Sequence, residues 1–135
     1  MSDIDIRDCP APVNMTLIQR LKPLAGRTVT LYQPGMPQLT KTRGVLRDVT
    51  LTSFKVGATK VFYKTSFIVE LHSPAKRVRP RELTATAEGM GRFRGKLIRV
   101  GRDFIEFVRV PGRNVPSLFP LNLFTLVVCE PEDEE

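Results

Sequence analysis

The sequence predicts a mainly β protein made of two small, strongly bent, five-stranded antiparallel barrels, the first preceded by a short α-helix. Three observations predict this fold class. Apolar and polar residues alternate over most of the chain, which is the period of a half-buried strand. A helical spacing is confined to one segment near the N-terminus. Glycine and apolar positions of one half recur in the other, and such recurrence indicates a repeated structural unit.

The predicted helix begins at Asn14, a residue type that caps helix N-termini well. Apolar residues between positions 17 and 24 then recur at helical spacing. Gly26 is typical of a helix end, so we expect about three turns that finish near Ala25. Pro23 is expected to distort the last turn or to end it early.

After position 26 the apolar period changes to two, which predicts strands for the rest of the chain. Loops are expected where proline and glycine cluster, as at 34–37 and 111–114. The predicted strands cover residues 28–32, 43–56 (one long bent strand or two), 60–71, 82–88, 92–100, 103–110 and 118–128.

The repeat relates Gly44 to Gly95, which are 51 positions apart. Apolar residues at 46, 49, 54 and 56 match those at 97, 100, 105 and 107 at the same offset, and those at 62, 67 and 69 match 119, 124 and 126 at an offset of 57. The change in offset falls at the loop 111–117, where an insertion is tolerated. A glycine inside a strand permits the sharp bend that closes a small barrel.

We therefore divide the chain into an acidic irregular arm (1–13), a first barrel with its helix (14–73), a basic linker (74–81), a second barrel (82–129) and an acidic tail (130–135). A unit this small is marginally stable alone, so pairing or oligomerisation through open strand edges is expected. The net charge of +7 divides into −2 on the arm, −5 on the tail and +14 on residues 14–129. A cationic body suits a polyanionic partner; the alternative is that these charges only keep the protein in solution.

The sequence favours a non-catalytic protein without a metal or another cofactor. Cys9 and Cys129 belong to no Cys/His cluster, so we expect two reduced thiols. Asp103 and Glu106 are three apart on a predicted strand and therefore point to opposite faces, which prevents them from flanking one bond. The single histidine, His72, has no nucleophile beside it in the sequence, and no glycine-rich phosphate loop is present.

The first residues lack the basic and apolar regions of a secretory signal. The longest apolar stretch, 118–128, is about half of the ~20 residues that a membrane-spanning helix needs. We therefore expect a cytoplasmic protein without a membrane span.

The first half resembles the Sm-like (LSM) family over residues 17–69. A short helix precedes five strands, and the second strand carries an x-G-x-L-x-x-V pattern at 43–49 (RGVLRDV). Segment 61–69 (VFYKTSFIV) is similar to the V-Y-K-H-A-I-S-T-V signature of Hfq, the bacterial RNA-chaperone branch. This resemblance implies that Tyr63 stacks on a base and that Lys64 contacts RNA at one face of a ring. Thr65 replaces the histidine of the signature, and Thr50 replaces the usual acidic residue after the strand-two valine.

The second half resembles short Sm-like modules of spore-forming bacteria, including spore-coat proteins. The resemblance lies in 91–106 (GRFRGKLIRVGRDFIE) and 118–124 (LFPLNLF). It implies a self-assembling structural role, whereas a fold shared with an RNA binder does not by itself confer RNA binding. Sm-like units commonly pair strand four of one unit with strand five of its neighbour, which implies subunit contacts for Phe62, Tyr63, Phe67, Phe119 and Phe124.

The candidate RNA-binding residues fall into three groups. Alternating cations on a strand, such as Arg92 and Arg94, project from one face, and solvated sheet surface is the alternative explanation. The linker supplies four further cations. Tyr63 is either a base platform, worth ~1–3 kcal/mol per stacked base, or a packing residue. The full set is Tyr63, Lys64, Thr65, Lys76, Arg77, Arg79, Arg81, Arg92, Arg94, Lys96, Arg99 and Arg102.

Together these features predict a non-catalytic Sm-like protein that binds RNA or another polyanion through a basic surface, as a homo-oligomer joined through strand edges. The alternative is a self-assembling structural protein, such as a component of a bacterial spore layer.

Overall fold

The strands of this chain form one eleven-stranded sheet, with one short α-helix, in the residues that the structure describes. A computed structural model describes residues 5–35, 39–74, 82–87, 90–110 and 114–130. The helix α1 is Leu17–Leu21, and 3-10 turns cover Lys22–Leu24 and Leu121–Leu123. The strands are β1 (Asp5–Arg7), β2 (Thr28–Gln33), β3 (Thr40–Arg47), β4 (Ser53–Val56), β5 (Thr59–Phe62), β6 (Ile68–Leu71), β7 (Glu82–Ala87), β8 (Gly91–Val100), β9 (Phe104–Arg109), β10 (Pro116–Pro120) and β11 (Phe124–Cys129).

The order across the sheet is β1-β11-β7-β8-β9-β10-β6-β2-β3-β4-β5. Within each half, the strands run in the order five-one-two-three-four when they are numbered along the chain. The mainly β prediction is confirmed. The expected pair of separate barrels is not found as such, because β10 pairs antiparallel with β6 and joins the halves edge to edge. We call this β10–β6 pairing the inner seam.

The halves correspond residue by residue where their second and third strands meet. A Cβ on Gly44 would stand 2.8 Å from the backbone nitrogen of Gly57. A Cβ on Gly95 would overlap the Phe107 side chain and the Val108 carbonyl oxygen. Gly57 and Val108 are 51 positions apart, as the two glycines are. The matched glycines therefore have one physical cause, which is a close approach of strand three that leaves no room for a side chain.

An ion pair recurs in the two halves with its charges exchanged. Lys55 lies 3.6 Å from Asp48 in the first half, and Arg99 lies 3.2 Å from Glu106 in the second. Both members shift by 51 positions. The first pair is exposed, whereas Glu106 is only 1% exposed. Arg20 of α1 accounts for this difference, because it covers Glu106 and donates to both carboxylate oxygens, at 2.9 and 3.1 Å.

Two hydrophobic clusters form the core, and each contains residues from both halves. The first-half cluster includes Phe104 and Leu118 of the second half. The second-half cluster includes Ile68 of the first half. Each such side chain contributes ~1.5–3 kcal/mol when it is fully buried. The inner seam is therefore a packed interface and not only a shared row of backbone hydrogen bonds.

The helix begins later and ends earlier than predicted. Its N-cap is Thr16, whose side chain accepts from the Gln19 backbone at 3.2 Å while the Gln19 side chain accepts from the Thr16 backbone at 2.9 Å. This reciprocal capping box displaces the predicted cap at Asn14. Because Pro23 cannot donate a helical hydrogen bond, the chain tightens into a 3-10 turn after Leu21.

Two long strand-like runs of the sequence each contain a chain reversal. The run 60–71 divides into β5 and β6, and the run 118–128 divides into β10 and β11. In the first run the Thr65 backbone donates to the Phe62 carbonyl at 3.0 Å, which closes a turn. In the second run the turn is the 3-10 segment after Pro120. Phe67 and Leu123 are buried in these turns, so the apolar pattern continues through the reversal.

The N-terminal arm was predicted to be irregular, which holds for residues 8–13 but not for 5–7, and its cysteine was predicted to be reduced, which is wrong. Asp5–Arg7 form β1, which pairs parallel with β11. Cys9 forms a disulfide with Cys129, at the end of β11. A separation of 120 residues hides this contact in the sequence, because it depends on where β11 lies in the sheet.

Candidate nucleic-acid interface

Three of the predicted residues line one open cleft between the two halves. Tyr63 and Lys64 come from the turn after β5, and Arg102 comes from the β8–β9 turn. The cleft has a volume of about 470 Å³, which is within the ~300–1,000 Å³ range of ligand pockets. Leu51 and Asn122 also line it. We call it the junction cleft, because the inner seam is what brings its two walls together.

Tyr63 is held rigidly in the wall of the junction cleft. Its hydroxyl donates to the Thr50 carbonyl at 2.9 Å, and its ring packs on Phe54 with centroids 5.6 Å apart. Burial, with a smaller effect from the Asp103 charge, raises the pKa of Tyr63 to about 12. The phenol is therefore neutral at ordinary pH, and the half-buried ring presents an aromatic surface fixed on one side by Phe54.

The charged groups of the cleft are a lysine, an arginine and one carboxylate, and the carboxylate already accepts a hydrogen bond from the protein backbone. Lys64 is exposed. Arg102 is anchored by its backbone, which donates to Met15 at 2.8 Å, and its side chain reaches Asn14 at 3.4 Å. An oxygen of Asp103 accepts from the Leu17 backbone at 2.7 Å, at the start of α1. The cleft therefore presents two cations, one carboxylate and an aromatic ring.

Thr65 lies apart from this cleft, although it follows Tyr63 and Lys64 in the sequence. Its hydroxyl donates to the Phe62 carbonyl at 2.7 Å. With Phe62, Lys60 and Gln33 it lines a different, shallow groove. The three-residue motif that the family resemblance singles out is thus divided between two surfaces.

The cations of β8 are exposed on one face, as predicted. Arg92, Arg94 and Lys96 alternate with the half-buried Phe93 and the buried Gly95. The Arg94 guanidinium lies 3.9 Å from Glu82, and both side chains are exposed. A surface pair of this kind contributes ~0–1 kcal/mol, so it leaves Arg94 free to exchange partners.

A matching pair of cations on β3 was not singled out from the sequence. Lys41 and Arg43 are exposed on that strand, at positions 51 before Arg92 and Arg94. The repeat offset was the signal that could have identified them. Each half therefore presents two alternating cations on its second strand, just before the matched glycine.

Two parts of the predicted set do not join this surface. Arg99 is 3.2 Å from the buried Glu106 and belongs to the protein's own ion-pair cluster. The linker cations Lys76, Arg77, Arg79 and Arg81 lie outside the described residues.

The other titratable candidates have structural partners. His72 Nε2 lies 2.8 Å from the Thr30 hydroxyl. Asp103 binds the start of α1, and Glu106 binds two arginines. Within the described ranges, no group of three His, Cys, Asp or Glu side chains could hold a metal ion. Among those same residues, no helix has the length and apolar character that crossing a membrane requires.

Comparison with known proteins gives no family for this chain, since no family model, no curated protein and no solved structure matches it.

Proposed function

We propose that the chain is a non-catalytic, tandem Sm-like protein of the cytoplasm that binds single-stranded RNA. The observation that carries this proposal is the junction cleft, where the Tyr63 ring, Lys64 and Arg102 surround one space. Proteins bind single strands by stacking bases on aromatic rings and by tracking the phosphates with cations. The charge of +14 on residues 14–129 supports the same conclusion. The Sm-like assignment is supported by a helix before five strands and by the pairing of a fourth with a fifth strand at the inner seam.

In this proposal the cleft binds one base and its flanking phosphates, and the exposed cations of β8 and β3 guide the rest of the strand. The ring of Tyr63 stacks on the base, while Lys64 and Arg102 bind the phosphates. Asn122 is the polar group available to a base edge. Its amide donates a long hydrogen bond of 3.4 Å to the Tyr63 carbonyl.

The test is a fluorescence anisotropy titration with a short, labelled, single-stranded oligoribonucleotide at several salt concentrations. Binding to phosphates predicts a slope of log K against log salt of about −0.7 per contact. The double variant Lys64→Ala/Arg102→Ala should make the slope less steep by about 1.4, since it removes two contacts. The charge-matched control is Lys22→Ala/Arg27→Ala, which removes two exposed cations that do not line the cleft. Absence of binding at low salt, or an equal change in both double variants, would refute the proposal.

A second candidate function is self-assembly into a structural layer, which the open edge at β5 favours. In the described part of the sheet, β5 has a neighbour on one side only, and its Phe62 is 48% exposed. Unpaired edges are templates for another chain. Sedimentation of nuclease-treated protein, in its reduced form, tests this function, which predicts a defined oligomer without RNA. A monomer that binds RNA would support the first function alone.

A further inference from the structure

The two ends of the sheet carry the same two kinds of strand, a fourth and a fifth, that pair with each other at the inner seam. The seam pairs a fourth strand, β10, with a fifth strand, β6, with Leu118 opposite Val69 and Ser117 opposite Glu70. The other fourth strand, β5, lies at one end of the sheet, and the other fifth strand, β11, lies next to the opposite end. The outer pairing of β5 with β11 is therefore available only between two copies of the chain.

The repeat fixes the register that this outer pairing would have. Residues of the fourth and fifth strands correspond at an offset of 57. Transferring the inner seam by that offset places Val61 opposite Leu126, and Lys60 opposite Val127, of the second copy. We call this intermolecular pairing the outer seam.

Burial on β5 agrees with a missing neighbour. Phe119 on β10 is fully buried and stacks on Phe107 at 4.2 Å between centroids. Phe62 occupies the corresponding position on β5, yet it is 48% exposed. β10 has a strand on each side, whereas β5 has only β4 beside it in the described sheet. A strand added to β5 would cover Phe62.

The β11 edge, by contrast, is occupied by the chain's own arm. β1 places Asp5 opposite Leu126 and Ile6 opposite Val127. These are the two β11 residues that the outer seam requires. In the described part of the chain β1 is three residues long, and all three are exposed. The disulfide from Cys9, two residues after β1, to the end of β11 ties the arm to this edge.

We propose that β1 is an autoinhibitory strand, locked by the Cys9–Cys129 disulfide, and that reduction of this bond lets β11 pair with β5 of a second copy. This inference rests on the strand-edge assembly proposed above and adds its interface, its register and its control. Cys9 is half-buried and Cys129 fully buried, so Cys9 is the sulfur open to attack.

The reaction requires a dithiol reductant, which supplies two electrons. One of its thiolates attacks Sγ of Cys9, the Cys9–Cys129 bond breaks, and Cys129 leaves as a thiolate that takes up a proton. The second thiol of the reductant then attacks the mixed disulfide, which releases Cys9 as a thiol and leaves the reductant as a disulfide. Cytoplasmic thiols are kept reduced, so the assembly-competent form is the one expected there.

The experiment measures the oligomeric state of RNA-free protein by analytical ultracentrifugation, with and without a dithiol reductant. Far-UV circular dichroism on the same samples reports the sheet. Wild-type protein should be monomeric when oxidised and should assemble when reduced, with its sheet retained. Cys9→Ser should assemble without any reductant. Adding Phe62→Lys to Cys9→Ser should restore the monomer, because it places a charge on the β5 edge. The matched control is Val45→Lys, which changes an equally exposed valine on the internal strand β3.

Each other outcome overturns the proposal in a distinct way. Equal assembly in both redox states overturns the disulfide lock and leaves the strand-edge assembly standing. Monomers in every form overturn both. Loss of the sheet on reduction, or in Cys9→Ser, shows that the disulfide is a structural cross-link. Assembly that Val45→Lys abolishes as completely as Phe62→Lys shows that the β5 edge is not the interface. The RNA titration is made on oxidised protein, so its result does not depend on any of these outcomes.

Discussion

Replacing Glu106 with glutamine should destabilise the protein more than any other single loss of charge discussed above. The Glu106 side chain is 2% exposed and accepts from Arg20 at 2.9 and 3.1 Å, with Arg99 at 3.2 Å. Glu106→Gln keeps the shape of the side chain but leaves two partly buried guanidinium groups without their counter-ion. Removing one partner of a buried ion pair costs ~3–5 kcal/mol.

We expect a loss of about 3 kcal/mol, at the low end of that range, because the Arg20 and Arg99 side chains remain 18% and 36% exposed. For a chain of 135 residues, this corresponds to a melting temperature about 10 °C lower. Urea denaturation measures the change as a lower midpoint at constant m-value. The matched control is Glu82→Gln, which breaks the exposed pair with Arg94 and should cost under ~1 kcal/mol. Equal losses in the two variants would refute the description of Arg20 and Glu106 as a buried ion pair that stabilises the fold.

Two further predictions concern the sheet and the cleft. Tyr63→Phe should remove a pH dependence of stability. The pKa of Tyr63 is raised to about 12 in the folded protein, so the wild-type free energy of unfolding should fall as the pH rises from about 10 to about 12. A Tyr63→Phe variant that shows the same fall would contradict the assignment. Gly95→Ala should cost ~1–3 kcal/mol of stability through overpacking, and more than Gly44→Ala. A Cβ on Gly95 would overlap the Phe107 ring and the Val108 carbonyl, whereas a Cβ on Gly44 meets a backbone nitrogen at 2.8 Å. Thermal melts of both variants measure the difference, and the reverse order would count against the described packing.

Local structure was predictable where neighbouring residues determine it. The change of apolar period after position 26 and the matched glycines predict a β protein with recurring positions, and the described strands of the two halves follow one order. The helix cap was misplaced because Asn14 and Thr16 are both good cap residues. The signal that distinguishes them is Gln19, three residues after Thr16, which completes a capping box.

Long-range features were not predictable, because they depend on how the two halves meet. The inner seam brings Arg102 to the same cleft as Tyr63, although the two are far apart in the sequence. Side-chain packing sets the register of such a pairing. Here Phe104 and Leu118 pack into the core of the other half. The Cys9–Cys129 disulfide was missed because it depends on where β11 lies in the sheet.

The exchanged ion pairs have a consequence for symmetry. Asp48 and Lys55 in the first half correspond to Arg99 and Glu106 in the second, with the signs of the charges exchanged. The two halves are therefore related but not interchangeable. If copies join head to tail until a circle closes, every circle contains an even number of five-stranded units, and its true rotational order is half of that number. In such a circle Asp48 and Arg99 would alternate at corresponding positions, so the sign of the charge there would change from each five-stranded unit to the next.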